Sequence, residues 1–181
     1  LKNLVYISML CNDTKIASDN TLTGDPTETA LVDMGFELDF EPSVLEQFPR
    51  VEEIPFDSDR KLMTTVHKMG DKYVVYTKGG VDELLKRCIA YNINGEIKQD
   101  LENYKETIKK YNMEMAENAL RDLAMGYKVL DHKPTEEDKA NLHTILAKHE
   151  GAVSAPAAGL HFSRELCNRM ILKDINKAFI T

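Results

Sequence analysis

The stretch VEEIPFDSDRKLMTTVHKMGDKYVVYTK, residues 51–78, decides the architecture of this chain. Val51–Phe56 reads as one short strand, and Asp57–Arg60 is a polar turn. Lys61–Lys68 and Lys72–Lys78 are rich in β-branched and aromatic residues and make two more strands, joined through Met69-Gly70-Asp71. Folding the chain back near Gly70 puts residues 61–62 opposite residues 78–79. The paired residue numbers then sum to 139 or 140, and a one-residue slip between the two exchanges the faces of the strand. Under either register Lys61 and Lys78 meet at the open end of one hairpin, with Phe56 just across the preceding turn.

Helical segments flank this meander. Leu1, Leu4, Val5, Ser8 and Met9 follow helical spacing until Asn12-Asp13 interrupts it. A second helix opens with Asp25 at the N-cap, Pro26 at N1 and Glu28 at N3, where its carboxylate is placed to reach back to the cap amide. Ala30, Leu31 and Met34 form the expected buried face. Val81, Leu84, Leu85, Cys88 and Ile89 trace a third helical stripe. Asn92–Gly95 is a turn, and a charged-backed helix runs from Leu101 to about Leu120 through Tyr104, Ile108, Tyr111 and Met115. Asp122–Leu130 is ambiguous by period. No internal repeat or low-complexity segment is present.

The composition is that of a compact chain of 181 residues, long enough for one domain and a small appendage. A net charge of -7 argues against nucleic acid as the main partner, because phosphate backbones are bound by clustered Lys and Arg. Cys11, Cys88 and Cys167 are far apart and lack zinc-ligand spacing, which suits reduced thiols. No apolar run approaches the roughly 18 residues of a membrane helix, and no signal-peptide pattern opens the chain. The chain begins inside an amphipathic stretch, as a piece of something larger would.

Four segments carry the chemistry: Gly24–Leu31, Phe56–Met63, Tyr76–Gly80 and Ala119–Ala124. Together they offer a carboxylate, an aromatic face, two lysines and an arginine. Each has a plain structural role available. Glu28 completes a capping box, an aromatic at a strand end such as Phe56 is ordinarily core, and Lys61, Lys78 and Arg121 are ordinarily solvated surface charges. Against that, Phe56 is followed by four polar residues, which suggests a ring near the surface. Two lysines at one hairpin end with no carboxylate between them repel each other, which points to an absent anion. Gly79 and Gly80 allow close backbone approach, and the helix starting near Val81 turns its amide end toward the same region.

The set and its order resemble the nucleotide-binding domain of P-type cation-transporting ATPases, the calcium-pump-like branch most closely, over roughly residues 1–140, which puts the expected domain at residues 1–142. The match is strong for Gly24–Leu31 and Phe56–Met63. It is partial at Lys78-Gly79-Gly80-Val81-Asp82, where the family usually reads Lys-Gly-Ala-Pro-Glu, and it is shortest around Arg121. The resemblance implies an α+β fold, a twisted antiparallel sheet flanked by helices on both sides, with residues 122–130 as a strand. It also implies an ATP site comprising Thr27, Glu28, Phe56, Lys61, Met63, Lys78, Gly79 and Arg121. Glu28, with Thr27 beside it, would lie near the adenine amino group and Phe56 would stack on the base. Met63 would be a neighbouring apolar wall, and the two lysines and Arg121 would contact the base region and phosphates. Magnesium would come with the ATP.

In the family such a domain brings Mg-ATP to an aspartate in a phosphorylation domain, with an actuator domain as a further partner, on the cytoplasmic side of a membrane-embedded pump. The phosphorylation motif Asp-Lys-Thr-Gly-Thr is absent from this chain, as are the Thr-Gly-Glu-Ser loop and the Gly-Asp-Gly hinge. The chain is therefore expected to hold ATP without turning it over, and without touching the membrane. His143 and His149 lack the intervening Glu of a zinc-protease helix, and neither a P-loop nor a Gly-x-Ser-x-Gly elbow occurs.

Residues 143–181 read differently. Ala147–Phe162 resembles a segment of the S-adenosylmethionine:tRNA ribosyltransferase-isomerase family, which commonly has Thr where Ala157 stands. The expectation is a tail of separate origin, fused or added, and too short to be that enzyme. Two rival readings follow: a fragment or fusion related to that RNA-modifying transferase, and a non-catalytic interaction module that keeps the fold without its ligand.

Overall fold

A computed structural model describes residues 2–136 and Asp138; readings that rest on residues 139–181, the His143/His149 pair and Ala147–Phe162 among them, lie outside the described residues. The chain opens with helix α1 (Lys2–Leu10) and a small two-stranded ribbon, β1 (Lys15–Ile16) and β2 (Leu22–Thr23). Helix α2 (Pro26–Glu37) and the short α3 (Ser43–Gln47) follow. Next come the three strands of the meander, β3 (Arg50–Asp57), β4 (Leu62–Met69) and β5 (Lys72–Gly79). After α4 (Val81–Leu85), the hairpin β6 (Tyr91–Ile93) and β7 (Glu96–Lys98), and α5 (Leu101–Glu117), the chain returns as β8 (Ala124–Leu130).

The main sheet has the order β3-β4-β5-β8 and is antiparallel throughout. On one face Ile7 and Leu10 of α1 pack with Cys11, Met63, Val74 and Tyr76. On the other, Val66, Val75 and Leu130 form a separate cluster, and Leu84 of α4 lies 3.5 Å from where a Cβ on Gly126 would stand. Helices thus cover both faces of a four-stranded antiparallel sheet, an α+β arrangement in which each face buries one strand alternation. Residues 122–130, ambiguous by period, supply a strand that pairs with β5 along its whole length, from Tyr73↔Leu130 to Gly79↔Ala124.

The β4–β5 register differs from both expected alternatives. Met69 pairs with Lys72 and Met63 with Lys78, so the loop is two residues, Gly70-Asp71, rather than three. The reason lies in Gly70, whose φ of +65° fits the first central position of a tight hairpin whose twist matches the strands. The shift sets Leu62 opposite Gly79, while the Lys61 carbonyl accepts from the Gly80 amide at 3.0 Å. Lys61 itself sits in the turn with φ +57°. The second hairpin follows the same logic: Asn94 and Gly95 both have positive φ, +53° and +92°, and link β6 to β7 by a two-residue loop.

Three helical expectations change. Asp25 caps α2, its Oδ1 accepting from the Thr27 amide at 2.8 Å, but Val32 and Gly35 are the buried positions, and Ala30 is exposed. Gly35 explains the rotation: a Cβ there would stand 2.7 Å from Met9 Sδ, so α1 approaches α2 along this line. Glu28, four residues before Val32, falls on the same inward stripe. Helix α4 stops at Leu85 in a tight turn closed by the Arg87 amide on the Leu84 carbonyl, leaving Cys88 half-buried and Ile89 84% exposed. Finally, α5 ends at Glu117, and Ala119 in the left-handed region terminates it; its Tyr111 and Met115 are exposed rather than packed.

Candidate functional site

The eight expected site residues collect around one end of the sheet. Phe56 belongs to the end of β3, Lys61 to the turn after it, and Met63 to the start of β4. Lys78 and Gly79 end β5, and Arg121 shortly precedes β8, whose first residue pairs with Gly79. Thr27 and Glu28 arrive from the first turn of α2 and make direct contacts with two of these. The Lys78 Nζ donates to Glu28 Oε1 at 2.6 Å, and Arg121 Nη1 donates to Thr27 Oγ1 at 3.4 Å. Four segments far apart in sequence are thereby tied to one place, where Met63, Lys78 and Gly79 are buried.

The Glu28–Lys78 pair is largely removed from solvent, with side-chain exposures of 17% and 7%. This corrects two expectations. Glu28 does not reach back to its own cap; Oε2 accepts from the Asp13 amide at 3.1 Å instead, because the inward stripe of α2 aims the carboxylate at the end of α1. Nor do Lys61 and Lys78 face each other without a carboxylate between them, since Glu28 neutralises Lys78. Pairing leaves capacity on both partners. An ammonium has three donors and each carboxylate oxygen two acceptor positions, so further bonds can be added without breaking this one.

Phe56 is 59% exposed at an irregular stretch of the edge strand, where the β3–β4 register shifts between Ile54 and Asp57. Such bulges re-aim side chains, here lifting an aromatic ring out of the sheet's packing. Asp57 anchors the turn that follows: its Oδ1 accepts from the Asp59 amide at 3.0 Å and the Arg60 amide at 2.7 Å. Lys61 is exposed. Met63, the cross-strand partner of Lys78, is only 1% exposed and packs in the core with α1, so it is not an open wall. At Gly79 the φ is +150°, and an added Cβ would run into the Lys61 carbonyl oxygen and stand 2.9 Å from Leu62 Cα. Close approach of two backbones, rather than ligand contact, is what requires glycine there.

Residues the sequence did not single out hold this arrangement. Asn12 Nδ2 donates to the Ser8 and Glu28 carbonyls at 2.8 and 2.9 Å, stitching α1 to α2. Arg50 Nη1 bonds Asp13 at 2.8 Å and Glu53 at 2.7 Å, while Nη2 caps the Leu10 and Asn12 carbonyls at the end of α1. These two carboxylates hold the Arg50 guanidinium above its ordinary range despite burial. The Asn12-Asp13 helix stop was the available signal, but its partners are far away in sequence.

A family model described as "P-type ATPase, cytoplasmic domain N" matches residues 1–155. The chain is 36% identical over 168 residues to a calcium-transporting ATPase of Listeria monocytogenes, covering 91% of this chain and 19% of that protein. It is 33% identical over 176 residues to calcium-transporting ATPase 1 of Bacillus cereus, covering 97% of this chain and again 19% of the relative. The chain therefore spans about a fifth of the length of these relatives. A short segment of 46 residues, 25% of the chain, is 63% identical to the S-adenosylmethionine:tRNA ribosyltransferase-isomerase of Phocaeicola vulgatus and covers 13% of that enzyme. No helix among the described residues is long and apolar enough to cross a membrane. By the extent of the family match, this chain belongs to the cytoplasmic N domains of P-type ATPases.

Proposed function

We propose that this domain binds Mg-ATP at the sheet end marked by Phe56, Lys78 and Arg121, and presents it to an aspartate in the phosphorylation domain of a calcium-type cation pump. The observation that carries the proposal is the union of Glu28–Lys78 and Thr27–Arg121 beside an exposed aromatic ring. Phe56 offers a face on which a base can stack. Glu28, held by Lys78 and the Asp13 amide, offers its remaining acceptor positions to the adenine amino group, with Thr27 alongside. The uncommitted Lys78 donors, Lys61 and Arg121 neutralise phosphate charge, and Gly79 keeps β4 and β5 close enough for that geometry. Magnesium travels on the nucleotide's phosphates. The domain contributes positioning and charge compensation, while the acceptor aspartate and the actuator domain belong to the parent protein. In this reading the nucleotide-binding domain occupies residues 1–142, and residues 143–181 are a tail of separate origin.

One stacking contact and a few exposed charge pairs amount to about 4–6 kcal/mol, a dissociation constant on the order of 0.1–1 mM. Titration with Mg-ATP should move the resonances of Phe56, Lys61 and Lys78 together along one saturation curve. No movement up to about ten times that concentration overturns the reading. With labelled ATP the chain should stay unlabelled.

A further inference from the structure

The face of the sheet opposite the Glu28–Lys78 pair contains a cavity of about 250 Å³ whose polar lining is rich in hydrogen-bond donors. Thr64 and Thr77 line it from adjacent strands, Leu84 and Arg87 from α4 and the turn after it, and Lys128 and Asp138 from the side of β8. Arg87 Nε and Nη2 are buried there without a hydrogen-bond partner among the described residues. Burial of such donors without a partner is costly, and a guanidinium has no neutral form to retreat to.

The threonines add a donor by simple accounting. A guanidinium only donates, so Thr64 Oγ1 accepts from Arg60 Nη2 at 2.7 Å. Thr64 and Thr77 hydroxyls then share one bond at 3.0 Å. Two hydroxyl hydrogens and one bond between them leave one hydrogen over, whichever residue donates. Two carboxylates near the cavity, Asp138 and Glu83, each have one oxygen engaged by other partners. Asp138 Oδ2 accepts from the Thr135 amide, the Thr135 hydroxyl and His132 Nε2, and Glu83 Oε1 accepts from Lys86 at 2.8 Å. Burial pushes the Arg87 guanidinium below its ordinary range, and its proximity does the same to Arg60 after desolvation.

We propose that this cavity is a second anion site, taking a small oxyanion of the phosphate class on Arg87 and on the spare hydroxyl of the Thr64–Thr77 pair. It lies across the sheet from the proposed nucleotide site, so it is independent of that reading. Its volume suits a phosphoryl-sized group and not a whole nucleoside triphosphate.

The test is titration of the full chain with inorganic phosphate at constant ionic strength, followed at the Arg87 Nε–H and Thr77 methyl resonances. Saturating shifts at both are expected, with Lys78 and Phe56 unmoved. Arg87→Met should weaken phosphate about tenfold or more, whereas Thr77→Val, which frees the Thr64 hydrogen while the Arg60–Thr64 bond survives, should leave the affinity within about threefold. Linear, non-saturating shifts overturn the proposal, as do shifts confined to Lys78 or an unchanged affinity in Arg87→Met. If Arg87→Met does not fold, Arg87→Gln replaces it, and an unchanged affinity there overturns the proposal.

Discussion

Lys78 and Glu28, 50 residues apart, meet at 2.6 Å in a nearly dry position between α2 and β5. Removing one partner strands the other charge in a poorly solvated place, which costs about 3–5 kcal/mol where burial is complete. Lys78→Met should therefore destabilise the domain strongly. Glu28→Gln should cost less, because the amide oxygen still accepts from the Asp13 amide. The double variant should be more stable than the sum of the single losses implies, with a coupling of about 1–3 kcal/mol. Urea unfolding of the four proteins measures it, and additivity within about 0.5 kcal/mol would show that the pair is not coupled.

Two glycines with positive φ make opposite demands. Gly70 has open space around its missing Cβ, whereas at Gly79 a Cβ collides with the Lys61 carbonyl and Leu62. Gly70→Ala should cost about 1–2 kcal/mol, the price of a left-handed alanine. Gly79→Ala should cost much more, or prevent folding, because β4 and β5 would have to separate at the site. Thermal unfolding of the two variants checks the order; similar losses would mean that backbone proximity at Gly79 is not limiting.

His67 gives the domain a pH dependence of definite sign. It is buried, and Nδ1 lies 2.9 Å from the Phe48 carbonyl, which only accepts, so Nδ1 carries the hydrogen and Nε2 accepts from the Thr65 hydroxyl at 3.0 Å. Desolvation depresses its folded pKa below the ordinary value of 6.5. The unfolded chain therefore binds the proton first, and the contribution of neutral His67 is whole above about pH 6.5. It is lost as pH falls from there through the folded pKa. Stability measured between about pH 7.5 and 5.5 should decline toward acid, and His67→Gln should flatten the curve. An equally steep decline in the variant would assign the effect to other groups.

What could be read from residue order was local, and what could not was rotational. The meander was legible because alternation and turn residues are properties of neighbouring positions, and the gathering of Phe56, Lys61 and Lys78 at one end survived a register that differed from both alternatives. The partner of Glu28 was not legible. Its direction depends on how α2 is rotated, and that is set by Gly35 accepting Met9, a contact between two helices. The burial of Met63 was illegible for the same reason, since it comes from α1 packing over β4 and β5. Arg50 was invisible for a similar reason: its role is to close the carbonyls of α1, which only tertiary packing brings near.

Base and phosphate recognition should separate at Phe56 and Lys61. Phe56 is largely exposed, so Phe56→Ala should change stability by no more than about 0.5 kcal/mol. If its ring stacks on adenine, the same change should weaken ATP, ADP and AMP alike, by about fivefold or more. Lys61 is exposed and acts through a screened charge, so Lys61→Ala should weaken ATP by at most about fivefold and leave AMP almost unchanged. That loss should shrink as salt is raised, whereas the Phe56 effect should persist. Affinities for the three nucleotides at two salt concentrations decide the matter. Equal losses across the series for Lys61→Ala would remove it from the phosphate side of the site, and an ATP-selective loss for Phe56→Ala would remove the ring from the base.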